Sequence, residues 1–360
     1  MPVQTYDLTP QRIGEVKGRI LSHAFPIISL GTVGKNDDFK RNTGDVVKYR
    51  RYIQKGGTSA SPNKFFQDGT GERAAAYAND HLTSEGVTSA AETIISQDIT
   101  ATLQQYNVLY GFTDKTFDLY EDDIPKEMQK LVGERTGLIC EMALYGVLKA
   151  CTNIFYGGSG TSRGTVDGVL TLPLLRRVAR SLMDNHAMPV KRMFQQIKAS
   201  GMYNTAPVSG KKFPVWIHTD LCSTVSDLPN FKTVEEYADP SSAVDNEVGS
   251  CEQFRFIATP ELVSVQDSGA AVAGAVPALK STTGTSADVY QVIVGAEDSW
   301  GHIGLDLNAK KDISVLLPGL KDKADPQGQR GYVGAKFYYN GVILNQTQMA
   351  VVEVATDALT

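Results

Sequence analysis

The sequence predicts an α+β protein with an extended N-terminal third, one long helix and a mixed remainder. Three observations support this class. Extended runs occupy residues 43–53 and the stretch from Thr93 onward, an amphipathic helix follows Asp123, and short strands and helices mix beyond about residue 186. Helices and strands that occur in separate stretches are typical of α+β folds.

The first 90 residues contain one strand between two loosely patterned segments. Residues 1–40 have no sustained period, so we expect an arm that packs on something else. Residues 43–53 are rich in β-branched and aromatic residues and form the predicted strand. Residues 54–90 are rich in Gly, Ser and Pro, which predicts a long loop of the kind that is usually functional or intersubunit.

The second extended run is the most informative part of the chain. Apolar residues recur with a period of two from Ile95 to Leu103, and after Gln104-Gln105 the apolar positions change phase, from Tyr106 to Phe112. Such a change indicates a β-bulge, or a strand that passes from one packing environment to another. At about 3.3 Å per residue the run spans roughly 60 Å. We expect that one compact domain does not cover it and that another copy of the chain does.

A single long helix is predicted after the second run. Glu121-Asp122-Asp123 followed by Ile124-Pro125 is a good helix start. Apolar residues then recur at spacings of three, four and seven, at Ile124, Met128, Leu131, Leu138, Met142 and Tyr145. We expect the helix to continue to about Phe155, roughly 50 Å in all, and to stop at Gly157-Gly158.

The remainder alternates between helices and strands. A helix is predicted at 172–185 and a short one near Leu221, with strands at 213–218, 254–258, 289–294, 313–317, 332–339, 341–344 and 349–354. Residues 266–288, rich in Ala, Gly, Ser and Thr, are interpreted as a surface excursion.

Bulk composition excludes several classes of function. The 360 residues are 42% hydrophobic and 21% charged, as in ordinary globular proteins. A net charge of −5 argues against a general nucleic-acid binder. No apolar stretch is long enough to span a membrane, and no signal peptide is recognised at the N-terminus. The four cysteines form no CxxC pair, and we expect reduced thiols.

Four stretches together resemble the major capsid proteins of tailed bacteriophages, in particular a podovirus-like branch with the Hong Kong 97-type coat fold. They are GDVVKYRRY (44–52), EGVT…ITATLQQY (85–106), EMQKLVGERTG (127–137) and DPQGQRGYVGAKF (325–337). The resemblance implies an N-terminal arm (1–40), an extended β-hairpin loop with peripheral-domain strands (41–113), a peripheral domain with a spine helix (114–185), an axial domain (186–325), and C-terminal strands that return to the peripheral domain (326–360). Residues 264–286 match nothing in the family.

The resemblance also implies a function. The chain would be a structural protein, not an enzyme, that assembles as hexamers and pentamers into an icosahedral shell around double-stranded DNA. It would fold in the bacterial cytoplasm, reside in the virion, and bind portal, scaffolding and cementing proteins. Two alternatives stay open, namely another self-assembling phage protein such as a tail tube, and a cytosolic enzyme with a swapped hairpin.

Candidate contact residues come from two charged clusters. The basic cluster contains Lys48, Arg50, Arg51 and Lys55, with Tyr49 and Tyr52 interleaved, and it fits either nucleic acid or acidic residues of an adjacent subunit. We favour the second interpretation, with the helix start at Glu121, Asp122 and Asp123 as the acidic side.

No catalytic, cofactor or metal site is predicted. The glycines at 157–160 lack the Gly-Lys-Ser/Thr of a phosphate loop and are interpreted as a helix C-cap and turn. The five histidines are dispersed, without metal-ligand spacing. A lysine–asparagine crosslink, which some coat proteins of this fold form, would involve Lys55 or Lys64, Asn340 or Asn345, and Glu353, but we do not predict one.

Overall fold

The computed structural model of the protein describes most of the chain. The described residues are 29–40, 42, 44–53, 57–60, 62–63, 82–88, 91, 93–120, 123–190, 192–196, 203–207, 212–237, 243–244, 246–272, 279–305, 313–321, 323 and 325–358. Residues 1–28, most of the predicted arm, and most of the loop at 54–90 lie outside this set.

Helices and strands alternate along the described part of the chain. The helices are α1 (Asp114–Leu119), α2 (Ile124–Leu148), α3 (Leu172–Asp184) and α4 (Cys222–Ser226). The strands are β1 (Lys35–Phe39), β2 (Val46–Ile53), β3 (Ile95–Thr102), β4 (Gln104–Thr113), β5 (Ile154–Tyr156), β6 (Arg192–Gln196), β7 (Tyr203–Pro207), β8 (Phe213–His218), β9 (Phe231–Thr233), β10 (Glu247–Cys251), β11 (Phe254–Thr259), β12 (Tyr290–Gly295), β13 (Trp300–Leu305), β14 (Ile313–Leu316), β15 (Arg330–Ile343) and β16 (Met349–Val354).

Two large sheets and two ribbons contain these strands. The seven-stranded sheet has the order β5-β16-β12-β8-β11-β10-β9. The five-stranded sheet has the order β1-β13-β15-β14, and β4 also pairs with β15. β2 pairs with β3, and β6 with β7, as separate two-stranded ribbons.

Helix α2 holds the two sheets together. Near its start Met128 and Val132 pack on Val108 and Phe112 of β4. Near its end Leu144 and Leu148 join a core with residues of both sheets, including Trp216, Trp300, Phe337, Tyr339, Met349 and Val351. Helix α3 covers the other face of the seven-stranded sheet with its buried leucines. The seven-stranded sheet is therefore a central layer between α3 and α2.

The two sheets draw their strands from several of the predicted segments. β13, from the segment predicted as axial, lies in the five-stranded sheet, and the closing strand β16 lies in the seven-stranded sheet. The division into arm, loop, peripheral and axial domains stays a prediction.

The predicted end of the long helix was wrong, and its buried face was predicted in part. α2 ends at Leu148, about 37 Å from its start by helical rise, and Phe155 lies in β5, parallel to β16. The β-forming residues Ile154 and Phe155 gain more from pairing with β16 than from extending the helix. Met128 and Tyr145 of the predicted apolar stripe are buried, and so is Val132, whereas Leu131 is exposed.

One predicted pair of strands is a single strand. The predicted strands at 332–339 and 341–344 leave a break at Asn340, but β15 runs through it without interruption and contains 14 residues in all. A β-carbon on Gly341 would lie 2.6 Å from Leu144 Cδ1 of α2. The glycine therefore permits close packing of helix on strand and does not mark a turn.

The stretch at 266–288 is partly a buried element and not only a surface excursion. The buried carboxylate of Asp288 accepts hydrogen bonds from the backbone N–H groups of Asp267 (2.9 Å) and Thr282 (3.2 Å). Leu279 and Ala287 are buried with Val166 and Ala355. The two ends of the stretch are thus fixed to the body of the protein.

Candidate functional site

The β2–β3 ribbon contains most of the predicted basic cluster. β2 and β3 pair in antiparallel register from Val46 opposite Thr102 to Ile53 opposite Ile95. Because side chains alternate along a strand, Lys48 and Arg50 lie on one face, which we call the outer face, together with Asp98.

Asp98 already binds both of these outer-face cations. Its carboxylate lies 2.6 Å from Lys48 Nζ and accepts from Arg50 Nε at 2.7 Å and Nη2 at 3.2 Å. The hydrogen bond from Arg50 is the largest influence that holds the pKa of Asp98 well below its usual range. The three side chains leave one net positive charge on a solvent-exposed face.

The other predicted contact residues lie in different places. Arg51 donates to Gln97 Oε1 from Nε (2.9 Å) and Nη2 (2.7 Å), and burial lowers its pKa, so it faces the body of the protein. Asp123 caps α2 by accepting from Lys126 N–H. Lys55, Glu121 and Asp122 lie outside the described residues. No contact between the basic and acidic clusters is observed within the described part of the chain, and their intersubunit role stays a prediction.

The inner face of the ribbon is covered by the subunit itself. Ala101 of β3 packs with Ile303 of β13 and Val342 of β15, and all three are buried. The expectation that the protein leaves the whole ribbon uncovered was therefore wrong for this face. The uncovered part is the outer face, where Tyr52 and Ile94 are 69% and 75% exposed.

The strand switches partners at Leu103 without a bulge. Leu103 N–H donates to Asp45 C=O on the β2 side at 2.8 Å, and Asp114 N–H donates to Gln329 C=O on the β15 side at 2.9 Å. In a regular strand odd and even residues point their N–H groups to opposite edges, and this alternation continues through Leu103. The phase change in the sequence therefore reflects a change of covered face, the second of the two alternatives.

Three side chains fix the segment where the predicted arm joins the body. The buried Glu141 of α2 accepts from the N–H groups of Ser29 and Leu30, both at 2.8 Å. Trp300 Nε1 and His302 Nε2 both donate to Val33 C=O, at 3.0 and 2.8 Å. Burial raises the pKa of Glu141, against the hydrogen bonds it accepts, and burial lowers the pKa of His302. Glu141 lies inside an apolar helix face, a signal that the sequence analysis did not use.

Two ion pairs with a buried carboxylate were also missed. The fully buried Glu353 of β16 accepts from Arg163 Nη2 at 2.5 Å and from Gln291 Nε2 at 2.9 Å. Arg255 Nε donates to Glu247 Oε1 at 2.7 Å, and both side chains are almost completely buried. The partners lie 190 and 8 residues apart, and no local spacing rule predicts such pairs.

The prediction that the glycine cluster at 157–160 caps the C-terminus of a helix was wrong. It follows strand β5, and Gly157 N–H donates to Glu353 C=O at 2.8 Å. Gly158 has φ of 66°, and the next residue, Ser159, donates from both N–H (2.8 Å) and Oγ (2.6 Å) to Asp167. The cluster is a turn, and the carboxylate of Asp167 stabilises it.

Two of the residues considered for a lysine–asparagine crosslink make structural contacts. Asn340 Nδ2 donates to Thr102 C=O at 2.6 Å, and Glu353 is in the ion pair described above. Lys55 and Lys64 lie outside the described residues. None of the four cysteines forms a disulfide. No group of three metal-ligating side chains occurs within the described ranges. Of the described helices, none is long and apolar enough to cross a membrane.

Comparison with known proteins identifies the fold. No family model matches the chain. A curated relative, the "Major capsid protein" of Pseudomonas phage KPP21, is 24% identical over 269 residues, which cover 70% of this chain and 66% of that protein. The chain therefore spans slightly less than two thirds of that relative's length.

Solved structures match over nearly the whole chain. The capsid of Ralstonia phage GP4 has a TM-score of 0.58 at 10% identity, over 98% of this chain and 100% of that one. The capsid of cyanophage Pam1 has a TM-score of 0.58 at 13% identity, over 98% and 99%. The head of Helicobacter pylori bacteriophage KHP40 has a TM-score of 0.57 at 11% identity, over 96% and 95%. The chain has the phage capsid fold, and the predicted α+β class of the Hong Kong 97-type is confirmed.

Proposed function

We propose that this chain is the major capsid protein of a tailed bacteriophage, a structural protein whose activity is self-association. The observation behind this proposal is a likeness in fold to phage capsid proteins over almost the full chain, together with a relative named as a major capsid protein. In the described ranges, buried charged groups such as Arg255 and Glu247 form ion pairs, and the glycine-rich segment is a hydrogen-bonded turn. An enzyme would need a cleft with convergent reactive groups instead.

The assembly we propose is a closed icosahedral shell of hexamers and pentamers around double-stranded DNA, as part of the virion. A heterologous interface closes into rings, and extended segments join neighbouring rings. A standard interface buries about 1,600 Å², so several weak contacts per subunit stabilise a shell collectively. Portal, scaffolding and cementing proteins would be further partners. The net charge of −5 suits a shell that holds DNA without binding it tightly.

The outer face of the ribbon is the proposed electrostatic contact with a neighbour. Lys48, Arg50 and Asp98 leave one net positive charge there, and the start of α2 contains Asp123 and, in the sequence, Glu121 and Asp122. Charge reversal in R50E should reduce the yield of particles at least tenfold. R176E is the matched control, since Arg176 is also exposed and paired with a carboxylate, Glu252. Equal yields from both variants would refute this contact.

Negative-stain electron microscopy of the purified protein, with sedimentation velocity, tests the function. Closed spherical shells or ring-shaped capsomers are expected. Tubes or stacked rings would favour a tail-tube protein. A monomer that stays monomeric at high concentration and with macromolecular crowding would reject the proposal.

A further inference from the structure

The central seven-stranded sheet ends in β5 on one side and in β9 on the other, and groups of opposite charge lie at these two ends. Six spacings of about 4.8 Å separate the two end strands, so they lie roughly 29 Å apart. A head-to-tail contact between copies of a chain needs two different and complementary surfaces on each copy. The two ends of this sheet provide such a pair of surfaces.

Two arginines of helix α3 form the basic end. Arg177 and Arg180 are exposed, whereas the apolar residues of the helix are buried against the sheet. The guanidinium of Arg177 lies over the ring of Phe155 in β5, with Cζ 5.8 Å from the ring centroid. This contact holds Arg177 beside the β5 edge. The two arginines outnumber Asp184, the acidic residue at the end of the helix, so the exposed charge here is positive.

Two glutamates of a short 3-10 helix, Val234–Glu236, form the acidic end. Glu235 and Glu236 directly follow β9 and are both exposed. The next residue, Tyr237, fixes their position, because its N–H donates to Val234 C=O at 3.3 Å and its hydroxyl donates to the buried Glu247 at 2.6 Å. The two carboxylates therefore stand on a rigid element that is tied to the core.

The charges of the two ends remain available to another molecule. The exposed neighbours Asp227 and Lys232 at the acidic end cancel each other in charge. Three other arginines pair with glutamates inside the subunit, namely Arg163 with Glu353, Arg176 with Glu252 and Arg255 with Glu247. None of the four end residues forms an ion pair within the described part of the chain. The arginines of this layer thus divide into those used inside the subunit and those at the basic end.

We infer that Arg177 and Arg180 of one copy bind Glu235 and Glu236 of the next copy, in a head-to-tail contact between the opposite ends of two central sheets. The inference rests on the proposed function, which places copies side by side in rings. Because each copy has one end of each sign, every member of a closed ring makes the contact with both of its neighbours. Copies that meet head to head would bring like charges together, which disfavours the wrong orientation. Arginine and glutamate pair through two parallel hydrogen bonds, so the contact also fixes the angle between copies.

Exchange of the charges between the two ends tests the inference. R177E/R180E makes both ends acidic, and E235R/E236R makes both ends basic, so each should lower the yield of particles about tenfold. The quadruple variant again has one end of each sign, with the signs exchanged, and should recover to within about threefold of wild type. Sedimentation velocity measures the yield. Recovery is a result that neither a misfolded chain nor a lost contact with another kind of molecule produces.

R176E is the matched control for these variants. Arg176 is the neighbour of Arg177 on the same helix, but its partner is Glu252 of its own subunit, so its yield should stay near that of wild type. Equal yields from R177E/R180E and R176E would overturn the inference and leave the proposed function intact. A loss in R177E/R180E that persists in a well-folded quadruple variant would assign the arginines to a polyanion such as DNA and would also overturn it. A wild-type chain that does not assemble would overturn both.

Neutral substitutions keep the inference testable if a charge-reversed variant does not fold. R177Q/R180Q and E235Q/E236Q change exposed side chains without introducing a new charge. Each should weaken assembly, and the two effects together should be no larger than the greater of the two, because either change removes the same ion pairs. Fully additive effects in the combined variant would overturn the inference.

Discussion

Replacing Arg255 by Met should be among the most destabilising single substitutions in this protein. The side chains of Arg255 and Glu247 are 3% and 1% exposed, and their shortest contact is 2.7 Å. In R255M the Glu247 carboxylate keeps two neutral donors, Tyr237 Oη at 2.6 Å and Val244 N–H at 2.9 Å, but no cation at this contact. Loss of one partner of a buried ion pair costs about 3–5 kcal/mol. That is a large part of a typical unfolding free energy of about 5–15 kcal/mol.

Urea unfolding of the dissociated subunit measures this cost. Trp216 and Trp300 pack edge to face with ring centroids 5.3 Å apart in the core, so their fluorescence reports unfolding. R176M is the matched control, because the Arg176–Glu252 pair is exposed and such pairs contribute about 1 kcal/mol or less.

The double variant R255M/E247L distinguishes two contributions to the loss of stability, the buried unpaired charge of Glu247 and the lost packing of Arg255. It removes both charges and leaves only neutral donors unsatisfied, so it should recover about half of the loss seen in R255M. A cost below about 1 kcal/mol for R255M would refute the reasoning, as would a double variant less stable than R255M.

Three further predictions concern the core and the arm. G331A should lose about 1–3 kcal/mol of unfolding free energy in urea, because its β-carbon would lie 2.3 Å from a ring atom of Phe112; G133A, with open space around it on α2, should lose none. E141A should cost about 1–3 kcal/mol, because the N–H groups of Ser29 and Leu30 lose their acceptor; E141Q, which keeps an acceptor oxygen, should cost less, and equal costs would contradict this role. Burial lowers the pKa of His302, so the folded state binds its proton less readily than the unfolded state, and stability should fall as pH drops below about 6.5. Melting curves between pH 7 and pH 5 should show a smaller loss for H302Q than for wild type, and parallel losses would exclude His302 as the cause.

Local patterns in the sequence predicted most strands and both long helices. The run at 349–354 and the run at 213–218 agree with β16 and β8 because short apolar, β-branched stretches have few alternatives inside a sheet. The end of α2 was missed because Ile154 and Phe155 are determined by a partner strand almost 200 residues away. The break at Asn340 was predicted wrongly because the continuity of β15 is determined by its pairing with β4 and β13, which a single sequence does not show.

The candidate site was predicted less completely than the fold. Lys48 and Arg50 lie on an exposed face as a solvent-facing cluster requires, but their shared carboxylate, Asp98, is determined by strand register. Arg51, adjacent in sequence, points to the opposite face, as a period of two dictates. Glu141, His302 and Glu353 act through long-range contacts, and a single sequence contains no direct record of those.

The position of β16 makes completion of the seven-stranded sheet depend on synthesis of the last strand. This strand is the last in the described part of the chain, yet it lies inside the seven-stranded sheet, between β5 and β12. Until Met349–Val354 has left the ribosome, β12 has no partner on that side and the apolar residues Val292 and Val294 stay open to water. Nascent chains and prematurely terminated ones are thus unable to complete their central layer.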